Sequence, residues 1–331
     1  MQRTSLATPS PSPRPTFEEL GEVPFVLAPV LEIARTGRMP NDDVTREVAR
    51  RAAEVDGVPP TVLYRVLTPA ICSKHPDLVL QWLQETGLLA RFLPELDRTV
   101  AFSQEGGRRH KDVWEHTKAV VRQSVPRPAV RWAAVLHDIG KVTTRRFLPG
   151  GRVTFHGHDI EGVRMFRRGP ARRIAFPRDE RRRIELLIRH HLRPGQYDGS
   201  WTDSAVRRFA RDMDEILDDL LALSRADVTS RRPGKRKRCL AMISELAARI
   251  RTLAEEDARP KPLPAGLGNA LMERLELPPG KHIGDLRDRL AQLVQDGELE
   301  AGREVDYYVE AALERGLHEG LEIRPPRGYA R

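Results

Sequence analysis

The sequence predicts an all-α protein. Apolar residues recur at spacings of three and four along most of its 331 positions, strand-like alternation is scarce, and the sheet-favouring aromatic residues make up only 5% of the chain. Asn41-Asp42-Asp43 reads as a helix start before Val44 and Val48. Leu78, Val79, Trp82, Leu83 and Thr86 form the next stripe, which Gly87 interrupts. Val113, His116 and Val120 repeat the pattern with Asp112 placed as an N-cap, and Val130, Ala134 and His137 follow. Further stripes are Ile184/Leu187/His191, Ile216/Leu220/Leu223/Asp227 and Leu240/Ile243/Leu246/Ile250. Only Arg152–Phe155, after the turn Pro149-Gly150-Gly151, reads as a strand.

The chain is long enough for two or three compact domains. Residues 1–16 alternate Pro with Ser, Thr and Arg and are expected to be a disordered tail. The polar stretch Ser103–Arg109, the basic turn Ser230–Arg238 and the Pro-rich stretch Asp257–Gly268 then suggest boundaries in the rest. The expected parts are a helical N-terminal part (17–105), a central part (106–232) and a C-terminal helical part (233–331). Hydrophobic residues make up 40% and charged residues 31%, and mean hydropathy is −0.49. No stretch approaches the roughly 20 apolar residues of a membrane span, and the N-terminus has no apolar core of a secretory signal. The two cysteines, Cys72 and Cys239, lie far apart and suggest reduced thiols in a cytoplasmic protein.

The net charge is +9, with lysine supplying only 8 of the 56 basic residues. A phosphate-rich partner favours arginine for its planar donors, but a compositional bias toward arginine gives the same total. Only local clustering of charge therefore counts toward a ligand.

Seven of the ten histidines fall in the central part: His110, His116, His137, His156, His158, His190 and His191. His116 and His137 lie on the apolar faces of their helices, Asp138 stands beside His137, and Asp227 shares a face with Leu220 and Leu223. His190 and His191 follow Leu186 and Leu187 by four residues. A buried carboxylate costs several kcal/mol unless it is paired or ligated. One inward His usually bonds a backbone carbonyl and one Asp at a helix end is usually a cap, but this many from four helices call for a shared cation. With no cysteine nearby the donors are N and O, which favours Mg, Mn, Fe, Co or Ni over structural zinc.

The order His116, His137-Asp138, Asp227, with the local string LHDIGK, resembles the HD superfamily of metal-dependent phosphohydrolases. More narrowly, DVWEHTKAVV, RWAAVLHDIGKVTT, FHGHDIEGV, LIRHHLRP and LSRADVTS resemble the HD domain of bacterial tRNA nucleotidyltransferases, the CCA-adding enzymes. LVLQWLQETGLLARFLPEL is similar to the helical segment before HD in those enzymes, and PPGKHIGDLRDRLAQLVQDGEL to their tail helices, so the likeness covers roughly 60–315. It implies an HD helical bundle flanked by helical parts. Nucleotide addition also needs a catalytic head with an Asp-x-Asp pair, and no Asp-x-Asp precedes the central part; the expectation is a relative without that head.

The resemblance implies that His116, His137, Asp138 and Asp227 bind one divalent metal, with Asp138 able to bridge to a second. His158 and one of His190 and His191, with His190 preferred, are the implied ligands of that second ion. Asp138 and Lys141 are the expected catalytic residues, with water activated at the metal attacking phosphorus in line. Lys141 would neutralise a phosphate oxygen, although a solvated lysine near a helix end explains it nearly as well. Arg164–Arg183 holds nine arginines against Asp179 and Glu180, and Arg164, Arg193 and Lys141 are the expected substrate-binding residues. The implied activities are 2′,3′-cyclic phosphodiesterase, 2′-nucleotidase and phosphatase, acting on a nucleotide or on RNA, tRNA included. The alternatives are a tRNA-binding module without catalysis and a cyclic-dinucleotide phosphodiesterase, although the Gly-Tyr-Pro string of the latter is absent.

Overall fold

The computed structural model describes residues 21–101, 113–149, 152–230, 232–258 and 262–319. The expected tail 1–16, the polar stretch 103–109, His110 and the Asp112 cap lie outside the described residues. The fold is all-α with one short hairpin.

The chain divides into two compact units, Met1–Arg251 and Thr252–Arg331. In the first, a short 3-10 turn leads into α1 (Ala28–Thr36), which stops where Gly37 takes the left-handed conformation (φ 70°). The side chain of Asn41 accepts the Val44 amide at 2.9 Å and starts α2 (Asp42–Arg50), as its sequence position predicts. There follow α3 (Pro60–Ile71), α4 (Pro76–Glu85), α5 (Leu88–Phe92) and α6 (Pro94–Ala101). In α4 the buried stripe is Val79, Leu80, Trp82 and Leu83, and Leu78 is only partly covered.

The centre of the unit is α8 (Pro128–Leu136), all nine residues of which are buried. Against it pack α3, α7 (Val113–Gln123), α12 (Arg178–His190) and α14 (Leu217–Asp227). Even Arg131 is inside, because its guanidinium donates to the Val121 and Val125 carbonyls at 2.6 and 3.2 Å around the end of α7. Across the core, Trp132 Nε1 donates to Thr68 Oγ1 at 2.9 Å and ties α8 to α3. The remaining helices of the unit are α9 (Lys141–Thr144), α10 (His158–Arg168), α11 (Pro170–Arg173) and α13 (Asp203–Met213).

Strand β2 (Arg152–Thr154) forms where the sequence predicts one, and pairs antiparallel with β1 (Arg146–Leu148), Phe147 opposite Val153. The three residues of β1 are too few to show alternation, which is why the sequence gives no sign of them.

The two compact units part at 251/252. Helix α15 (Pro233–Ala258) starts within the basic turn and packs onto the first unit. Ile243, Leu246 and Ile250 of α15 are buried, Ser244 accepts from Arg225, and Glu245 accepts from the Tyr197 hydroxyl at 2.6 Å. The second unit builds its own core from Leu267, Leu271, Leu286, Leu290, Tyr308 and Val309, carried by α16 (Leu267–Arg274), α17 (Lys281–Gln295) and α18 (Val305–Glu314). There the Tyr308 hydroxyl donates to the Glu300 carbonyl at 2.7 Å. Among the described residues no helix is long and apolar enough to cross a membrane.

Glu180, in the first turn of α12, is 8% exposed; one oxygen accepts from the Tyr64 hydroxyl at 2.8 Å and the other has no partner. Burial pushes its carboxyl up to about 7. A carboxyl raised on folding binds its proton more tightly in the native state, so its contribution is present at low pH and is lost as pH rises through about 7. The Glu180→Gln variant is expected to remove that dependence. Between pH 5 and 8 the wild-type protein should lose up to about 3 kcal/mol relative to the variant. Melting temperatures of both proteins across that range check it, and parallel curves would contradict it.

Candidate metal centre

Helix ends build this site. His116 stands within α7, His137 and Asp138 in the turn directly after α8, and His158 is the first residue of α10. His191 follows the last residue of α12, and Asp227 is the last residue of α14. The C-termini of α8, α12 and α14 thus converge, each bringing a partial negative charge of about half an electron.

The same ends orient the rings. The Nδ1 atoms of His137, His158 and His191 lie 2.9, 2.8 and 2.8 Å from the carbonyls of Ala134, Phe155 and Ile188, three residues upstream in each case. A carbonyl only accepts, so each Nδ1 carries the proton and each Nε2 presents its lone pair inward. His116 is held by Thr229, whose Oγ1 lies 2.8 Å from its Nδ1.

The inward atoms form two groups, His116/His137/Asp227 and Asp138/His158/His191, each with its donor atoms within 4.8 Å of one another. Asp138 joins them. Its Oδ2 lies 3.4 Å from His116 Nε2 and 3.3 Å from His137 Nε2, while its Oδ1 lies 3.5 Å from His158 Nε2. Asp227 Oδ1 approaches His116 Nε2 at 2.9 Å. Lys141 Nζ donates to Asp138 Oδ2 at 2.6 Å.

Burial alone would raise Asp138, but the His137 ring, the Lys141 ammonium and the His116 ring outweigh it and hold the carboxyl well below the usual range. Asp227 is likewise lowered against its burial, by its bond to His116 and by the neighbouring His137 ring. Burial pushes His191 down to about 4 and lowers His116 and His158. His137 is raised, because Asp138 beside it outweighs its burial.

This donor set fits divalent cations. The Nε2 atoms of His158 and His191 stand 3.1 Å apart, and those of His116 and His137 3.4 Å apart. Since Nδ1 of His158 and of His191 already holds the proton, lone pair faces lone pair there unless positive charge lies between them. Two carboxylates and three helix C-termini add negative potential, against the single ammonium of Lys141. The all-N/O set suits the Mg-to-Ni range of hard and borderline ions.

The HD-domain family matches residues 111–232. This part of the chain is an HD domain. Beyond it, the chain is 34% identical over 240 residues to the A-adding tRNA nucleotidyltransferase of Deinococcus radiodurans, covering 69% of this chain and 52% of that protein. It is 31% identical over 240 residues to the CC-adding tRNA nucleotidyltransferase of Thermus thermophilus, covering 70% and 52%. A multifunctional CCA protein of Ralstonia nicotianae is 32% identical over 211 residues, covering 59% and 48%. The chain thus spans about half the length of these relatives.

The HD domain brings together His116, His137, Asp138, His158, His191 and Asp227, with Lys141 against Asp138. His190, preferred over His191 in the sequence reading, is in neither group: it is half-buried, whereas His191 is 3% exposed. Residue 191 continues the Ile184/Leu187 stripe, and that face turns inward. Nor are the two expected arginines drawn to the centre. Arg164 pairs with Glu161 at 3.2 Å, and Arg193 pairs with Asp212 at 3.6 Å and lies over the Phe209 ring. Much of the arginine-rich stretch is likewise spent on ion pairs: Arg167 and Arg181 with Glu185, Arg182 with Glu215, Arg183 with Asp219 and Arg173 with Glu95.

Two supporting features escaped the sequence reading. Thr229, two residues after Asp227, gives no periodic signal because it lies beyond the helix. Gly140 is the other. A Cβ built there would lie 2.1 Å from the His158 carbonyl and 2.7 Å from the Gly162 amide, so only glycine lets the turn bearing His137 and Asp138 touch the backbone of α10. Its φ of −64° suits any residue, and the requirement is space alone. Gly140→Ala should therefore force α10 away, lowering the melting temperature and weakening Mn(II) binding at least tenfold by calorimetry. Unchanged metal affinity in a folded variant would contradict this.

Proposed function

We propose that this HD domain is a metal-dependent phosphohydrolase acting on nucleotides or RNA ends, 2′,3′-cyclic phosphates and 2′-nucleotides among them. The observation that supports it most is the complete inward set of four imidazole Nε2 atoms and two carboxylates, arranged as two adjacent groups with Asp138 between them. One or two divalent ions held by His116, His137 and Asp227 and by Asp138, His158 and His191 would supply Lewis acidity toward a phosphoryl oxygen and an activated water. A chain that keeps so many buried donors without a ligand carries the desolvation cost for nothing.

The residues of the chain supply position and charge. The three Nδ1 bonds hold the rings before any ligand arrives, so little reorganisation is needed on binding. Asp227, 29% exposed in its side chain, and Lys141, 21%, are more open to solvent than Asp138 at 3%. The phosphate would enter on that side. Lys141, whose ammonium lies against Asp138, would meet a phosphate oxygen on that side. The names of two relatives, an A-adding and a CC-adding tRNA nucleotidyltransferase, support an RNA substrate.

A second reading is a tRNA-binding module without catalysis. Similarity that runs over 240 residues, well beyond the HD domain itself, favours it.

Release of product from 2′,3′-cyclic AMP with Mn, Ni or Mg added in turn separates the two. The first reading expects turnover that requires a metal, falls at least 1000-fold in Asp138→Ala and falls about 10- to 100-fold in Lys141→Ala. No turnover with any metal, in a protein that binds tRNA equally well with and without Asp138, would establish the second.

A further inference from the structure

A groove of about 1100 Å³ lies on the first unit, walled by α4, α7 and the start of α15. It adjoins the metal centre. Thr229, which holds His116, lines it, and so does Glu115, the residue before His116. Asp227, the most open of the clustered donors, lies two residues before Thr229.

The lining has a definite chemistry. Leu78, Ala119, Pro233 and Leu240 supply apolar surface, and this explains why Leu78 is left out of the α4 core stripe. Along the walls stand Lys118, Arg122, Arg236 and Lys237, against the two carboxylates Asp77 and Glu115. Lys118 is held, pairing with Glu115 at 2.7 Å and donating to Gln81 at 2.5 Å, but Arg122 and Arg236 are loosely engaged. Arg122 meets Asp77 only at 3.5 Å with its side chain 71% exposed. Arg236 donates to a neutral acceptor, Gln123 Oε1, at 2.8 Å, so its charge is not compensated. Gln81 and Gln123 also line it, each already bonded within the protein at both ends of its amide.

We propose that this groove binds the single-stranded nucleotides preceding a terminal phosphate that sits at the metal centre. The inference rests on the phosphohydrolase reading and extends it from the reacting phosphate to the chain behind it. Apolar surface with interspersed cations is what a single strand requires, since base faces stack on the former while phosphates meet the latter. At about 1100 Å³ the groove stands at the top of the roughly 300 to 1000 Å³ range of small-molecule pockets. The groove therefore distinguishes a polynucleotide end from a free nucleotide.

The test uses the full chain and a 5′-fluorescein octaadenylate carrying a 2′,3′-cyclic phosphate, with binding read by fluorescence anisotropy and turnover by product release. In Arg122→Ala/Arg236→Ala the octamer is expected to bind at least tenfold more weakly, and log affinity should depend on log salt with a slope shallower by about 1.4, the value for two lost phosphate contacts on a single strand. KM for the octamer should rise, while kcat and the KM for 2′,3′-cyclic AMP stay within twofold. Lys237→Glu, at an exposed position, provides a second variant with the same direction of effect. The control Arg46→Ala/Arg50→Ala removes two exposed charges from α2, outside the groove, and should change nothing. Octamer that fails to bind the wild type, binds all variants alike, or weakens equally in the control overturns the groove. Octamer that binds through these residues but is not hydrolysed keeps the groove and overturns the phosphohydrolase reading.

Discussion

The centre depends on one repeated hydrogen bond, from an imidazole Nδ1 to a carbonyl three residues upstream. At the ends of α8 and α12 that carbonyl is one of the last in the helix, which the helix itself leaves without a donor. A single bond therefore completes the helix terminus, selects the tautomer and aims Nε2. Orientation is a by-product of finishing a helix, and it needs no dedicated outer layer of carboxylates.

The rest of the fold serves to bring those ends together. A wholly buried α8 places its C-terminus in the interior, where a carboxylate would be costly, and Asp138 is tolerated there only among imidazoles and the Lys141 ammonium. The long helix α15 extends the first unit past the HD domain, so the helices on either side of the domain are part of the same packed body. That is the physical basis of the groove: α4 comes from before the HD domain, α7 from within it and α15 from after it.

Much of this was legible in the chain. Helical periodicity marked α7, α8, α12 and α14, and the inward residues on those stripes, His116, His137, His191 and Asp227, are the ones that meet. Where two adjacent histidines competed, the stripe Ile184/Leu187 continues to His191, and the preference for His190 went against that periodicity. Arginine clustering misled because linear density says nothing of partners: Glu161, Glu185, Glu215 and Asp219, distant or near in the chain, take up those charges. The role of Thr229 and the closeness of Gly140 to α10 depend on tertiary neighbours that no local pattern encodes.

The contact of Gly140 with the backbone at His158 also pinches off everything between them. Residues 141–157, with the β1–β2 hairpin, leave the core at one point and return beside it. An excursion closed in this way can lengthen or shorten at modest entropic cost without shifting its base. Strand β1, with Phe147 63% accessible, is thus a place where evolution can attach new recognition elements while the ligand geometry stays as it is.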